Sequence, residues 1–310
     1  MALHLSGGGV WPATLTPFTP EGGIDAAALQ AHVAQVAGTR GVRAVVVNGH
    51  AGETSSLDFA ERSDVIALAV EAAGDVPVVA GVVAEDPRDA CRLAREAAAS
   101  GASGLLLFPP ALFANGAALR PDMVRRFVGD VAAASDLPIV LFQLSRASGQ
   151  AFAPALMQRL CEEVLQIVAV KDGSDSPELY EDVLAVLRGL PRPVAMLTSN
   201  NGWLMASLAC GGDGILSGLG SVAAPLLVAL HEAMATGDLA TAREVNARLV
   251  PLCRAFYRAP GVDIHNRMKT ALKLLGRLPH AAPRLPLLPL DDAETTRIHA
   301  ALVAAGLLTA

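Results

Sequence analysis

Eight short apolar runs, each followed within a few residues by a helix-period segment, and three more helical segments after the last round predict an α/β chain. The fold they specify is a TIM (β/α)8 barrel with a C-terminal helical extension. The 310 residues hold one such barrel, which takes about 250, together with an added segment. An apolar share of 52% against 17% charged residues supplies a large core and excludes a disordered or nucleic-acid-coating chain.

The predicted strands are Trp11–Leu15, Val42–Val47, Val76–Val83, Gly104–Phe108, Leu137–Gln143, Val164–Lys171, Pro193–Thr198 and Gly214–Ser217. Their interiors are mainly apolar, as expected of parallel strands covered on both faces. Helix signals lie between them. Asp25 caps a segment with Leu29, Val33 and Val36 at helical spacing, ended by Gly38 or Gly41. Asp86-Pro87 puts a cap before a first-turn proline, Leu93, Ala94 and Ala97 form the inner stripe, and Gly101 stops the helix. Pro121 opens a helix with Val124, Phe127, Val128 and Val131 on one face. Pro77, Pro138 and Pro193 stand at strand starts, where a missing N–H does least harm. The eighth helix is Val222–Met234; Asp238–Tyr257, Asp263–Leu275 and Asp291–Leu308 follow as helices outside the barrel, with Pro279–Pro289 as an ordered linker. The chain thus divides into a barrel over 1–237 and a helical extension over 238–310. An open doubly wound sheet is the alternative, and eight rounds with short connections favour closure.

Mean hydropathy is +0.42, but the apolar residues come in short runs broken by Gly, Pro and charges. No stretch reaches the roughly 20 residues of a spanning helix, so no membrane partner is expected. Met1–Gly9 lacks a basic region followed by an apolar run, and the expected location is cytoplasmic. Cys91, Cys161, Cys210 and Cys253 form no CxxC or Cys/His cluster; they read as buried small apolar residues, with neither zinc nor a disulfide framework. No carboxylate and histidine spacing points to any other metal. A net charge of -6 offers no field for nucleic acid, so an anionic small molecule must be held by local groups.

Barrel enzymes carry their reacting groups at the carboxyl ends of strands. Lys171 ends the run Ile167-Val168-Ala169-Val170, where an amine is desolvated and its pKa falls. A neutral amine attacks a ketone to form an imine; the alternative is a structural ion pair with Asp172. The Gly49-His50-Ala51-Gly52 turn offers N–H groups that can wrap a carboxylate, or is simply a tight turn. His50 adds an imidazole that moves a proton near neutral pH, or ties the loop together. Gly211 to Gly218 would bind phosphate in a phosphosugar barrel, or packs strand eight closely on its neighbours. Ser199, Asn200 and Ser217 are candidate contacts for distal hydroxyls.

Together these residues resemble the dihydrodipicolinate synthase/N-acetylneuraminate lyase family of Schiff-base barrel enzymes along essentially the whole chain. Thr16-Pro17-Phe18 is similar to its early TPF, Gly49–Glu53 to its GxxGE loop, Val170-Lys171-Asp172 to its strand-six lysine segment, and Gly212-Asp213-Gly214-Ile215-Leu216-Ser217 to its strand-eight turn. The resemblance implies a metal-independent class I lyase with no cofactor beyond a substrate imine on Lys171, a 2-keto acid such as pyruvate as partner, and a homotetramer built from dimers. It implies a grip on the carboxylate by Gly49, Ala51 and Gly52. Beside the resemblance, Phe142, Gln143, Ser199, Leu216 and Ser217 are the candidate contacts: Phe142 shapes and dries the pocket, and Gln143 orients a substrate hydroxyl, or is turned from the barrel axis by strand alternation if Phe142 points inward. The departures concern the proton relay. Phe142 stands where the family carries a tyrosine, His50 and Ala51 where the synthase has paired threonines, and Pro109-Pro110-Ala111 where it has a further tyrosine. With those hydroxyls missing, His50 is expected to carry the proton, and synthase activity is disfavoured. Gln143 to Gly149 resembles members that dehydrate or cleave 2-keto-3-deoxy sugar acids, such as 2-keto-3-deoxyarabonate dehydratases. The expected function is therefore a dehydratase or aldolase of that substrate class. Pyruvate condensation of the synthase kind and a non-catalytic keto-acid-binding barrel are the alternatives.

Overall fold

The computed structural model describes residues 8–309, so residues 1–7 of the segment inspected for a leader lie outside it. Strands β1 (Gly9–Pro12), β2 (Val45–Val47), β3 (Val78–Val82), β4 (Gly104–Leu107), β5 (Ile139–Gln143), β6 (Ile167–Asp172), β7 (Ala195–Thr198) and β8 (Gly214–Ser217) are all parallel. Helices α1 (Ala26–Ala37), α2 (Phe59–Ala73), α3 (Pro87–Ala99), α4 (Pro121–Ala134), α5 (Pro154–Glu163), α6 (Pro177–Gly189), α7 (Leu204–Ala209) and α8 (Gly220–Ala235) alternate with them. Three more follow: α9 (Leu239–Phe256), α10 (Ile264–Leu274) and α11 (Asp292–Ala304).

The sheet order is β1-β8-β7-β6-β5-β4-β3-β2. It closes where Arg43 N–H bonds Val10 O at 3.0 Å and Thr14 N–H bonds Val46 O at 2.9 Å. The second strand is shorter than its apolar run because Val42 makes only an isolated bridge to Val10. Pro77 and Pro138 act as acceptors beside the strands they precede, taking bonds from Val45 N–H at 2.9 Å and Leu105 N–H at 2.8 Å. Helix starts follow the caps. The Asp25 and Asp86 side chains accept from Ala28 and Arg88 N–H, and Asp58 and Glu61 form a reciprocal capping box on α2.

Alternation along the strands sorts residues into two cores. On β5, Ile139 and Leu141 pack with the helical layer, whereas Val140 and Phe142 pack in the barrel interior. The interior cluster continues into α8, α9, α10 and α11 through Leu227, Leu249, Met268 and Leu302. The C-terminal helices are thereby held against the barrel by shared apolar burial. The four cysteines are free, and only Cys161 is fully buried; Cys210 is exposed on the surface, against the expectation of four buried thiols.

The glycines before β8 serve packing. A Cβ on Gly214 would lie 2.1 Å from Gly9 O, and one on Gly212 would lie 2.2 Å from Tyr180 Oη. Gly211 and Gly212 also precede the strand, at the end of the barrel opposite the carboxyl ends, and take no part in a phosphate loop there; of this segment only Gly218, after the strand, is at the carboxyl-end cavity.

Candidate active site

At the carboxyl end of β6, Lys171 is 6% exposed. Its strand register sets it beside Phe142, with Nζ 3.9 Å from the centre of that ring and 5.9 Å from the Phe108 ring. Burial alone lowers the amine from 10.5 to about 7. The ion pair with Asp172 does not form, because alternation turns that carboxylate to the other face. There it accepts from Ser174 Oγ at 2.7 Å and Asn200 Nδ2 at 2.8 Å. Lys171 opens instead onto a cavity of about 630 Å³ at the carboxyl end of the barrel, shared with His50, Ala51, Phe142 and Ser199.

The turn after β2 is built by close approach. A Cβ on Gly81 would sit 2.0 Å from Asn48 O, so only glycine lets β3 pass beneath the turn. Asn48 and Glu53 bracket it with positive φ values of 54° and 51°. Thr16 Oγ donates to Gly52 O at 2.8 Å, which gives the TPF threonine its task. Phe18 of the same motif lies between two cations, Lys269 Nζ at 4.0 Å and the Arg284 guanidinium carbon at 4.3 Å from its centre. Lys269 pairs with Glu53 at 2.5 Å, with both side chains buried. Burial pushes the Glu53 carboxyl up and the Lys269 amine down against the pull of each on the other.

His50 lies against Phe108 and Phe142, ring centres 4.8 Å and 5.6 Å away. Its outer edge is open to the cavity, while the aromatic surround and then Lys171 lower its pKa to about 4. The imidazole is therefore neutral at physiological pH.

Several expected contacts are absent from the cavity wall. Gln143 faces the helical layer and is fully buried. Its amide donates to Phe152 O and accepts from Phe152 N–H, both at 3.0 Å, so it clamps the loop after β5 and does not orient a substrate. Gln143→Leu should cost about 2 kcal/mol in chemical denaturation while leaving kcat/KM nearly unchanged; a large kinetic defect with normal stability would contradict this assignment. Leu216 is fully buried in the barrel interior and does not line this cavity. Ser217, also buried, reaches the cavity only through others: its Oγ donates to Asn201 Oδ1 at 2.6 Å and lies 3.3 Å from Tyr257 Oη. Gly49 and Gly52 shape the turn from behind, and Asn200 is bound to Asp172.

Asn201, Tyr257 and His265 line the wall and were not among the expected contacts, although Asn201 stands in the loop after β7. Tyr257 ends α9 and His265 lies in the first turn of α10, so both enter from helices outside the repeating unit. The signal was the Ala259-Pro260-Gly261 break between the two helices, which returns the chain to the barrel mouth. Burial raises the Tyr257 hydroxyl, which stays protonated and able to donate. Burial, then His50, Lys171 and Lys269, lower His265 to about 3. Among the described residues no group of three His, Cys, Asp or Glu side chains is placed to hold a metal, and no helix is long and apolar enough to cross a membrane.

Comparisons with known proteins agree with this architecture. Residues 6–305 match the model of the dihydrodipicolinate synthetase family. A 4-hydroxy-tetrahydrodipicolinate synthase of Methanothrix thermoacetophila is 32% identical over 97% of this chain and 98% of its own. One of Salinibacter ruber is 33% identical over 93% and 92%. Among solved structures, the Escherichia coli K12 prophage protein YagE, of the same family and in complex with pyruvate, superposes with a TM-score of 0.88 at 26% identity over 97% of this chain and 99% of its own. A match along nearly the entire length, with Lys171 on β6 facing the cavity as the family resemblance implies, makes this chain a lyase of the class I aldolase type and a member of the dihydrodipicolinate synthetase family.

Proposed function

We propose that the chain cleaves or dehydrates a 2-keto-3-deoxy acid through an imine on Lys171. The observation that carries this reading is a desolvated amine, lowered to about 7, facing a cavity large enough for a five- or six-carbon acid. YagE holds pyruvate, a 2-keto acid, on the same fold.

The neutral Nζ attacks the C2 ketone, whose oxygen leaves as water, and the protonated imine draws electrons from C3. For cleavage, a base takes the C4 hydroxyl proton, the C3–C4 electrons form the enamine, an aldehyde departs, and C3 is protonated before hydrolysis. For dehydration, the base removes a C3 proton and the enamine expels the C4 hydroxyl, which leaves as water with a proton from an acid. His50, neutral and beside Phe142, is the base; Tyr257, protonated and 3.3 Å from Ser217 Oγ, is the donor. The Ala51 N–H, on the cavity wall, receives the carboxylate: among the described residues it bonds no backbone carbonyl. Ser199 and Asn201 face the remaining hydroxyls.

A panel of 2-keto-3-deoxy pentonates and hexonates, assayed for product, tests the reading. Turnover should rise with pH through about 7 as Lys171 loses its proton, and His50→Asn should lower kcat by about 10²-fold or more. Saturable binding without product would point to a non-catalytic barrel, and an unchanged His50→Asn profile removes the base. The relatives' name favours a second reading, condensation of pyruvate with an aldehyde, which the same preparation decides. The homotetramer implied by the family resemblance belongs to this proposal; one solved relative is described as a monomeric variant.

A further inference from the structure

Beside Lys171 and His50, the cavity wall is made of neutral polar and apolar side chains with one carboxylate, that of Glu53. The lining includes hydrogen-bonding groups, such as Thr54, Ser199, Asn201 and Tyr257, and the apolar Val262, Ile264 and Leu287. Among the described residues no arginine lines this cavity. The carboxylate of Glu53 is at its edge, already paired with Lys269 at 2.5 Å. The nearby arginines are engaged elsewhere. Arg284 holds both Glu61 oxygens and the Gly22 and Ser56 carbonyls, and Arg146, after β5, reaches Glu178 at 3.5 Å.

We infer that this site selects 2-keto monocarboxylates whose tail beyond C3 is uncharged, and rejects acids with a second carboxylate or phosphate. The inference rests on the proposed function and refines its substrate class. An anionic tail would exchange water for hydroxyls, apolar side chains and the Glu53 carboxylate, with no cation to compensate. The two imidazoles offer no charge either, since their surroundings hold them at about 4 and about 3. The chain's net charge of -6 works in the same direction at longer range.

A matched pair of five-carbon acids isolates the tail: 2-oxopentanoate ends in a methyl group, 2-oxoglutarate in a carboxylate. Each is incubated with the wild-type enzyme and borohydride, which delivers hydride to the imine carbon and fixes the substrate on Lys171 as a secondary amine. The labelled fraction is read by mass spectrometry across concentration, with pyruvate as reference. Half-labelling by 2-oxopentanoate is expected at a concentration at least 30-fold below that for 2-oxoglutarate. A ratio within threefold, or the reverse preference, overturns the inference, as does labelling by pyruvate with neither five-carbon acid. Failure of pyruvate itself to label Lys171 overturns the proposed function instead, so the two failures are distinguishable.

Discussion

Lys171→Met should abolish turnover and at the same time make the protein more stable at pH 7. The unfolded amine titrates near 10.5 and the folded one near 7, so between those values the unfolded state binds more protons. For a base with a depressed folded pKa, the cost of burial is fully present below about 7 and fades as pH rises towards 10.5. Methionine fills the space between Phe108 and Phe142 without that cost, a gain on the order of 3 kcal/mol at neutral pH. In a domain of this size it corresponds to a rise in Tm of roughly 5 °C. The measurement is a pair of thermal melts at pH 6 and pH 10: the variant's advantage should be large in the first and small in the second. A variant less stable than wild type at pH 6 would mean that the amine is solvated or paired.

The opposite sign is expected for Lys269→Met. Here the change strands the Glu53 carboxylate, buried at 8% exposure, beneath the turn that receives the substrate. Breaking a buried ion pair from one side costs about 3 to 5 kcal/mol. The double change Glu53→Gln with Lys269→Met removes both charges and should recover much of the loss. Because the pair ties α10 to the turn at Gly49–Glu53, the single variant should also raise KM for pyruvate more than it lowers kcat. Urea denaturation of the two singles and the double, run as a cycle, checks the coupling. Additive losses would show that the two side chains do not stabilise one another.

The barrel was legible because strands buried on both faces leave mainly apolar runs; seven runs contained their strand or all but its last residue, whereas Trp11–Leu15 caught only the second half of β1. Run ends overshot where an apolar residue, such as Val42, continues the pattern without continuing the ladder. Lys171 was legible for a related reason: a lysine closing such a run has no solvent to face. Gln143 was misread because chemistry alone does not tell which face a strand residue takes. Once Phe142 is inward, pairing with Lys171 in register, its neighbour must point into the helical layer. Tyr257 and His265 were not legible at strand ends at all. They belong to helices whose position is fixed by packing on α8 and the barrel interior, a tertiary fact to which the Ala259-Pro260-Gly261 break points without naming the residues it delivers. The proton donor proposed above, Tyr257, thus comes from the end of α9, outside the repeat.

The account depends on the Lys171 nitrogen capturing a keto acid, and borohydride trapping with pyruvate followed by peptide mass spectrometry reads that directly. A single reduced pyruvate adduct on the peptide carrying Lys171, forming faster as pH rises through 7 and missing from Lys171→Met, is the outcome predicted. No adduct there at any pH, or an adduct on another lysine, would contradict it.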